Sequence, residues 1–251
     1  MPELIVLGTA ASVPNADHDT LALVLRGPGW AVLVDCGGSP LHKLAQLGIE
    51  RHHVRAVVLT HYHADHIYGL PILIQGLWLG GREQVLPIYG SQQALDRAHS
   101  LLKLFDLDER EDMFSLEWHP IPLRAGRRVL EVEGVAISAS AVDHGKADTL
   151  ALRFEEVATG RAIVYSADTE PSRAVIDLAA GAELLIHEAT GEGPGHSSPE
   201  QAADVARQAG VPRLALIHYP VPDVDLEEWR SRAGVLSGEV FLARDGDVYD
   251  L

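Results

Sequence analysis

Apolar and polar positions along this chain alternate or cluster so as to divide it into short strands with a smaller number of helices between them. Residues 4–7, 21–25 and 31–34 are apolar runs punctuated by Gly and Pro, which predicts three strands, and 40–47 carries the spacing of a short helix. The run 54–59 is apolar without alternation and reads as a strand covered on both faces. Residues 70–79 are apolar nearly all round, which predicts an interior helix, and a strand at 86–89 and a helix at 92–105 follow. The stretch 107–117 is charged with few periodic apolar positions and reads as a solvated loop or a frayed helix.

From residue 129 the strand pattern returns at 129–132, 135–141, 149–154 and 162–165, with Glu133-Gly134 and Thr159-Gly160 as turns. The remainder alternates: helix 172–179, strand 184–187, helix 199–209, strand 214–218. Strands early and late with helices between them predict an α/β architecture of two sheets packed face to face and clothed by helices. No repeat or low-complexity linker interrupts the pattern. With 251 residues and 47% hydrophobic content, the expectation is one domain over 1–251.

Candidate chemistry is concentrated directly after the apolar run 54–59, in Thr60, His61, Tyr62, His63, Ala64, Asp65 and His66. Three imidazoles and a carboxylate this dense gain little from packing and lose hydration on burial, unless a cation engages them. On an extended backbone His61 and His63 point the same way and Asp65 continues that face, with a helix starting near Ile67. Further donors follow other apolar runs in the same manner: His144 after 137–143, Asp168 after 163–167 and His218 after 214–217. Rigid strands gather functional groups at one sheet rim, so these donors are expected to converge. All are nitrogen or oxygen donors, which suits Zn²⁺ best and also admits Mn²⁺, Fe²⁺ or Co²⁺.

Charge and cysteine content narrow the field. The formal net charge of −16 and a pI near 5.1 argue against general electrostatic binding of nucleic acid, with Arg124, Arg127 and Arg128 forming only a small basic turn. The single cysteine, Cys36, excludes an internal disulfide, reads as a small filler at a strand end and fits a reducing, cytoplasmic setting. The amino-terminal residues lack the basic segment of a signal peptide, and no apolar stretch is long enough to span a bilayer. His18, His42, His52, His53, His99 and His119 have no strand-end context and read as surface residues.

The pattern His61-x-His63-x-Asp65-His66 with His144, Asp168 and His218 resembles the metallo-β-lactamase superfamily, and within it ribonuclease Z, the endonuclease that trims tRNA 3′ ends. Residues 7–14, LGTAASVP, resemble that family's opening strand and loop, and 165–169, YSADT, its aspartate motif. His187-Glu188-Ala189-Thr190 matches a characteristic tetrapeptide, and Gly195-His196-Ser197-Ser198 with 200–203, EQAA, matches the helix start after it. The resemblance implies an αββα sandwich with a dinuclear site: one metal on His61, His63 and His144, a second on Asp65, His66 and His218, and Asp168 bridging both. It implies a phosphodiesterase in which the two metals activate a hydroxide that Asp65 orients, His187 approaches the scissile phosphate, Glu188 orients His187, and His196 contacts phosphate or serves only as a turn residue. A homodimer is implied by analogy.

Two features depart from that family. Its bacterial tRNA-processing members carry an arm that grips tRNA, inserted between the positions of His144 and Asp168, and here the predicted hairpin occupies that whole interval. Ala167 and Glu170 stand where the family commonly has glycine and arginine. The expected substrate is therefore a small or single-stranded phosphodiester rather than a full tRNA. The alternatives are a hydrolase of the same fold acting on a lactone, thioester or β-lactam, and a redox or structural metal protein. The intact Asp65-His66 pair disfavours the latter.

Overall fold

The computed structural model describes residues 1–108, 110–221, 224–234 and 238–251. Two seven-stranded mixed sheets form the centre. In the first the order is β14 (Val248–Asp250), β1 (Glu3–Gly8), β2 (Ala22–Gly27), β3 (Trp30–Val34), β4 (Val54–Leu59), β5 (Leu86–Gly90) and β6 (Leu116–Pro120). In the second it is β13 (Glu239–Leu242), β12 (Arg213–Ile217), β11 (Leu184–Glu188), β10 (Ala162–Tyr165), β9 (Ala147–Glu156), β8 (Val135–His144) and β7 (Arg127–Val132).

The inner faces of the two sheets meet in one apolar layer that includes Leu23, Val32, Val58, Phe154, Tyr165, Ile186 and Ile217. Each outer face is covered by helices. Packing over the first sheet involves α1 (Pro40–Gln46), α3 (Leu70–Leu79) and α4 (Gln92–Lys103), and packing over the second involves α5 (Arg173–Ala179) and α6 (Pro199–Ala209). Because both faces are buried, the central strands carry unbroken apolar runs rather than alternation, as in β3 and β10 where every residue is buried.

The helix starts follow from local chemistry. Ser198 caps α6 through a reciprocal pair with Gln201, Pro199 sets the first turn, and Gly210 closes the helix at φ +69°. Glu133 and Gly134, at φ +46° and +82°, make the tight β7–β8 turn expected of this pair.

Several expectations are corrected. The helix after the histidine cluster begins at Ala64, as α2 (Ala64–Ile67), not at Ile67. The 107–117 stretch packs Leu107 and Phe114 into the core and leads into β6; Glu109 within it lies outside the described residues. Strands β6, β13 and β14 and helix α7 (Leu226–Arg232) have no counterpart among the predicted elements; the three strands are short, part-polar edge elements whose patterning is weak. His18 is partly buried, with Nδ1 2.8 Å from Thr9 Oγ1 and its ring edge-on to Tyr219.

Candidate metal centre

Topology brings the donors together. Strands β3 and β4 run parallel, as do β10, β11 and β12, and β8 shares their direction because β9 pairs antiparallel to both β8 and β10. The residues at or just after the carboxyl ends of these strands, Asp35, His61, His144, Asp168, Glu188 and His218, therefore lie along a common rim. Two groups of donors with no residue in common converge there, His61, His63, His144 and Asp168 in one and Asp65, His66 and His218 in the other, and Asp168 and His218 form a third with His196. Asp65 does not continue the strand face of His61 and His63. It reaches the second group from the first turn of α2, with Oδ2 3.2 Å from His218 Nε2 and 2.9 Å from Ser12 Oγ.

Asp168 sits between the groups. Its Oδ2 is 3.8, 3.5, 3.6 and 3.6 Å from Nε2 of His61, His66, His144 and His218, while its buried Oδ1 has no partner among the described residues. Each of these imidazoles is held by its other nitrogen. His66 Nδ1 donates to Asp35 Oδ2 at 2.8 Å, and His144 Nδ1 donates to the Gly195 carbonyl at 2.6 Å. The Thr60 hydroxyl donates to Asp35 Oδ2 and so accepts from His61 Nδ1; the Thr190 hydroxyl donates to the His218 carbonyl and accepts from His218 Nδ1. A proton on Nδ1 leaves the Nε2 lone pair of all four aimed inward. His63 is turned the other way, presenting Nδ1 3.0 Å from His144 Nε2.

Inward lone pairs this close repel one another unless a cation lies between them. His66 Nε2 and His218 Nε2 are 3.3 Å apart, and buried His61 Nε2 has no partner among the described residues. The electrostatics agree. Burial lowers the His61 and His63 pKa values, with neighbouring imidazoles adding to the effect, so both are neutral donors. Burial alone would lower His66 too, but the Asp168 and Asp35 carboxylates raise it well above the ordinary value, so without an ion a proton takes the place at its Nε2 that a cation would fill. Burial would raise Asp65 and Asp168, yet the surrounding imidazoles hold both below the usual carboxylate range. The cleft thus keeps carboxylates ionised and stabilises positive charge, and the donor set fits divalent ions.

The chemistry of the rim also rests on three strained residues. Asp35, Ala167 and His218 occupy φ +59°, +52° and +54°, a region costly for side-chain-bearing residues, at the chain reversals that aim Asp35, Asp168 and His218 into the cleft.

A family model for the beta-lactamase superfamily domain matches residues 30–219, a span containing all the converging donors. The chain belongs to the beta-lactamase superfamily. Among curated relatives, the ribonuclease Z of Methanothermobacter thermautotrophicus is 32% identical, covering 92% of this chain and 92% of its own length. Of solved structures, the metallo-beta-lactamase fold protein YhfI from Bacillus subtilis superposes with a TM-score of 0.80 at 26% identity, covering 99% of this chain and 98% of that one. The short form of human tRNase Z superposes with a TM-score of 0.78 at 24% identity, covering 99% and 98%. With this membership and its donor cleft, the chain is a metal-dependent hydrolase of the αββα type.

The His187-Glu188 pair divides in an unexpected way. On β11, Leu184 and Ile186 face the layer between the sheets and Leu185 faces the helices, so His187 lies on the helix side and Glu188 on the inner side. His187 is fully buried, its Nδ1 donates to the Glu188 carbonyl at 2.8 Å, and burial lowers its pKa. It belongs to none of the donor groups, and its buried Nε2 has no partner among the described residues. Glu188 instead takes His196: Oε1 accepts from His196 Nδ1 at 3.0 Å and from the amides of Thr169 and Ser197. His196, one-quarter exposed, has its ring 4.8 Å from that of His144, and it clusters with Asp168 and His218. Alternation along 184–188 carried this signal in the sequence. Asp35, a carboxylate ending an apolar strand, was also legible there; Thr190 and Gly195 were not, because their partners are distant in the chain, and neither was the bond from Thr60 to Asp35, although His61 is its neighbour.

Proposed function

We propose that this protein is a ribonuclease Z-like phosphodiesterase acting on small or single-stranded phosphodiesters, with His196 as its acid. The observation that carries the reading is the Glu188–His196 pair standing over two adjoining donor groups. Expelling an alkoxide from phosphate calls for a proton at the departing oxygen, and His196 offers one beside the donor cleft.

His61, His63 and His144 would hold one divalent ion, Asp65, His66 and His218 a second, with Asp168 shared between them. Zn²⁺ fits these donors, as do Mn²⁺, Fe²⁺ and Co²⁺. When bound, the ions supply Lewis-acid stabilisation of phosphoryl oxygens and lower the pKa of water towards neutrality. Asp65, kept ionised by His218 and His66 against burial, accepts a hydrogen bond from the attacking water and orients it. His196 donates Nδ1–H to Glu188, which directs Nε2 away from that carboxylate; Glu188 raises the His196 pKa although burial opposes it, which favours the protonated ring as donor to the leaving group.

The substrate class is supported by what surrounds the cleft. The interval from His144 to Asp168 is filled by β9 and β10, leaving no place for an arm. The alignment with the Methanothermobacter relative runs over 290 positions against 251 residues here, so that relative carries segments this chain lacks. A net charge of −16 disfavours a long polyanion outside the cleft. The deciding assay offers metal-loaded protein bis(p-nitrophenyl) phosphate, a tRNA precursor, a lactone and a thioester side by side. Cleavage of the small phosphodiester is expected; acyl turnover without it would overturn the reading.

A further inference from the structure

The loop that carries His196 is tied to the donor cleft by a residue outside the donor set. Glu170 lies two residues beyond Asp168 with its side chain at the surface. Its Oε1 accepts from the Gly195 amide at 2.9 Å, and its own amide donates to the Asp143 carbonyl at 2.9 Å. Gly195 in turn gives its carbonyl to His144 Nδ1 at 2.6 Å, and His144 follows Asp143 in the chain. These contacts close a ring running Glu170, Asp143, His144, Gly195 and back to Glu170. We propose that Glu170 is a positioning residue: by holding Gly195 it fixes both the orientation and tautomer of His144 and the station of His196.

The ring has no slack. Gly195 sits at φ +83°, and a Cβ on it would lie 2.8 Å from His144 Nδ1, so this backbone approaches the imidazole as only glycine can. On the other side of the same segment, Thr169 accepts from the Ser197 hydroxyl at 2.7 Å and donates its amide to Glu188 at 3.2 Å. Residues 169–170 therefore grip the loop at Gly195 and Ser197, on either side of His196. Without the Glu170 anchor residues 169–170 hold only the Ser197 side, the Gly195 amide loses its acceptor, and the Gly195 carbonyl can turn from His144. An imidazole without that acceptor populates both neutral tautomers, and the form with hydrogen on Nε2 cannot donate that lone pair to a cation. The role depends on an acceptor at position 170. Arginine has donors only and cannot receive the Gly195 amide.

The inference rests on His144 as a metal donor and His196 as the acid, but two of its three tests need no substrate and separate its failure from that of the phosphodiesterase reading. Glu170→Gln keeps an acceptor, Glu170→Ala removes it and Glu170→Arg replaces it with donors. Thermal melting first identifies which variants are folded; Gln against Arg decides the matter if Ala is not. In metal-free protein, long-range ¹H–¹⁵N spectra are expected to show His144 as a single Nδ1–H tautomer in wild type and Gln, and as a mixture in Ala and Arg. In Zn²⁺ titrations against a competing chelator, Ala and Arg should bind one of two ions about 10- to 100-fold more weakly, while Gln stays near wild type. On a dinucleotide phosphodiester, whose leaving group is an alkoxide, Ala and Arg reloaded with saturating Zn²⁺ should lose kcat with KM little changed. A Glu170→Ala or Glu170→Arg protein with one tautomer and unaltered affinity for both ions would overturn the proposal. So would a Gln variant as defective as Arg, because charge rather than the Gly195 contact would then be responsible.

Discussion

Glu188 reaches from the end of β11 to hold His196, Oε1 to Nδ1 at 3.0 Å, while His187 beside it is turned into the helix layer. Neighbouring residues on a strand face opposite ways, and Glu188 is the one of the pair that touches the cleft. Alanine at the two histidines should therefore give opposite phenotypes. His196→Ala is expected to lower kcat on a dinucleotide phosphodiester, whose leaving group is an alkoxide, by about 10²- to 10⁴-fold, the range of a lost general acid, with metal content unchanged. His187→Ala should lower the melting temperature through the void it leaves, with kcat within about threefold of wild type. Equal losses of kcat in both variants would refute the assignment.

That contrast also marks how far the sequence could be read. The central strands, α4 and α6 were legible because burial on both faces, or a 3.6-residue stripe closed by a cap, leaves a strong local pattern. Strands β6 and β13 were not, since half-exposed edge positions mix Glu, His and Pro with apolar residues. The donors were found because each follows an apolar run, a local rule. Asp65 was misplaced on a strand face because α2 begins one residue before it. The hydrogen bonds that fix tautomers, such as Thr190 to His218, join residues far apart and have no sequence signature.

The Glu188–His196 pair sets a pH dependence. Against burial, Glu188 raises the His196 pKa above its ordinary value near 6.5. A protonated acid is lost as pH rises through its pKa, so activity should fall on the alkaline side. Glu188→Gln removes the carboxylate charge and should move that limb to lower pH. Stability follows the same sign: the shift stabilises the fold below the unfolded value and the contribution disappears as pH rises through the folded one. Rate profiles from pH 5 to 9 for both proteins check this, and an unmoved alkaline limb would exclude His196 as the titrating acid.

Asp35 accepts from the Thr60 amide and hydroxyl and from His66 Nδ1, so it orients His66 directly and His61 through Thr60. Asn tolerates the positive φ found there, which makes Asp35→Asn a test of charge and acceptor capacity rather than of backbone strain. Its Zn²⁺ affinity should fall about 10- to 100-fold with secondary structure intact. Chelator competition measures the affinity, circular dichroism the fold. Wild-type affinity would show that His66 needs no carboxylate behind it.

Removing bound ions should destabilise the protein, because inward Nε2 atoms 3.3 Å apart and the unpartnered Asp168 oxygen are then left without a counter-charge. Dialysis against chelator is expected to lower the melting temperature, and adding back Zn²⁺ or Mn²⁺ to restore it. The increment should depend on free ion concentration, as linkage requires. Elemental analysis and anomalous scattering should find up to two ions in the cleft, and protein purified with metal available yet containing none would remove the basis of the hydrolase mechanism.

Charge gives a test of substrate size. Basic enzymes lose affinity for nucleic acid as salt rises, since binding releases counterions. This chain carries −16, and its repulsion of a polyanion is screened within about 10 Å at 0.1 M salt. For single-stranded RNA, kcat/KM should therefore rise between low and moderate ionic strength. For bis(p-nitrophenyl) phosphate, with a single negative charge, it should change much less. Measuring both substrates across the same salt series separates the two effects. A steep fall with salt for RNA would instead require a basic contact surface that outweighs the net charge, and tRNA would then return as a substrate despite the missing arm.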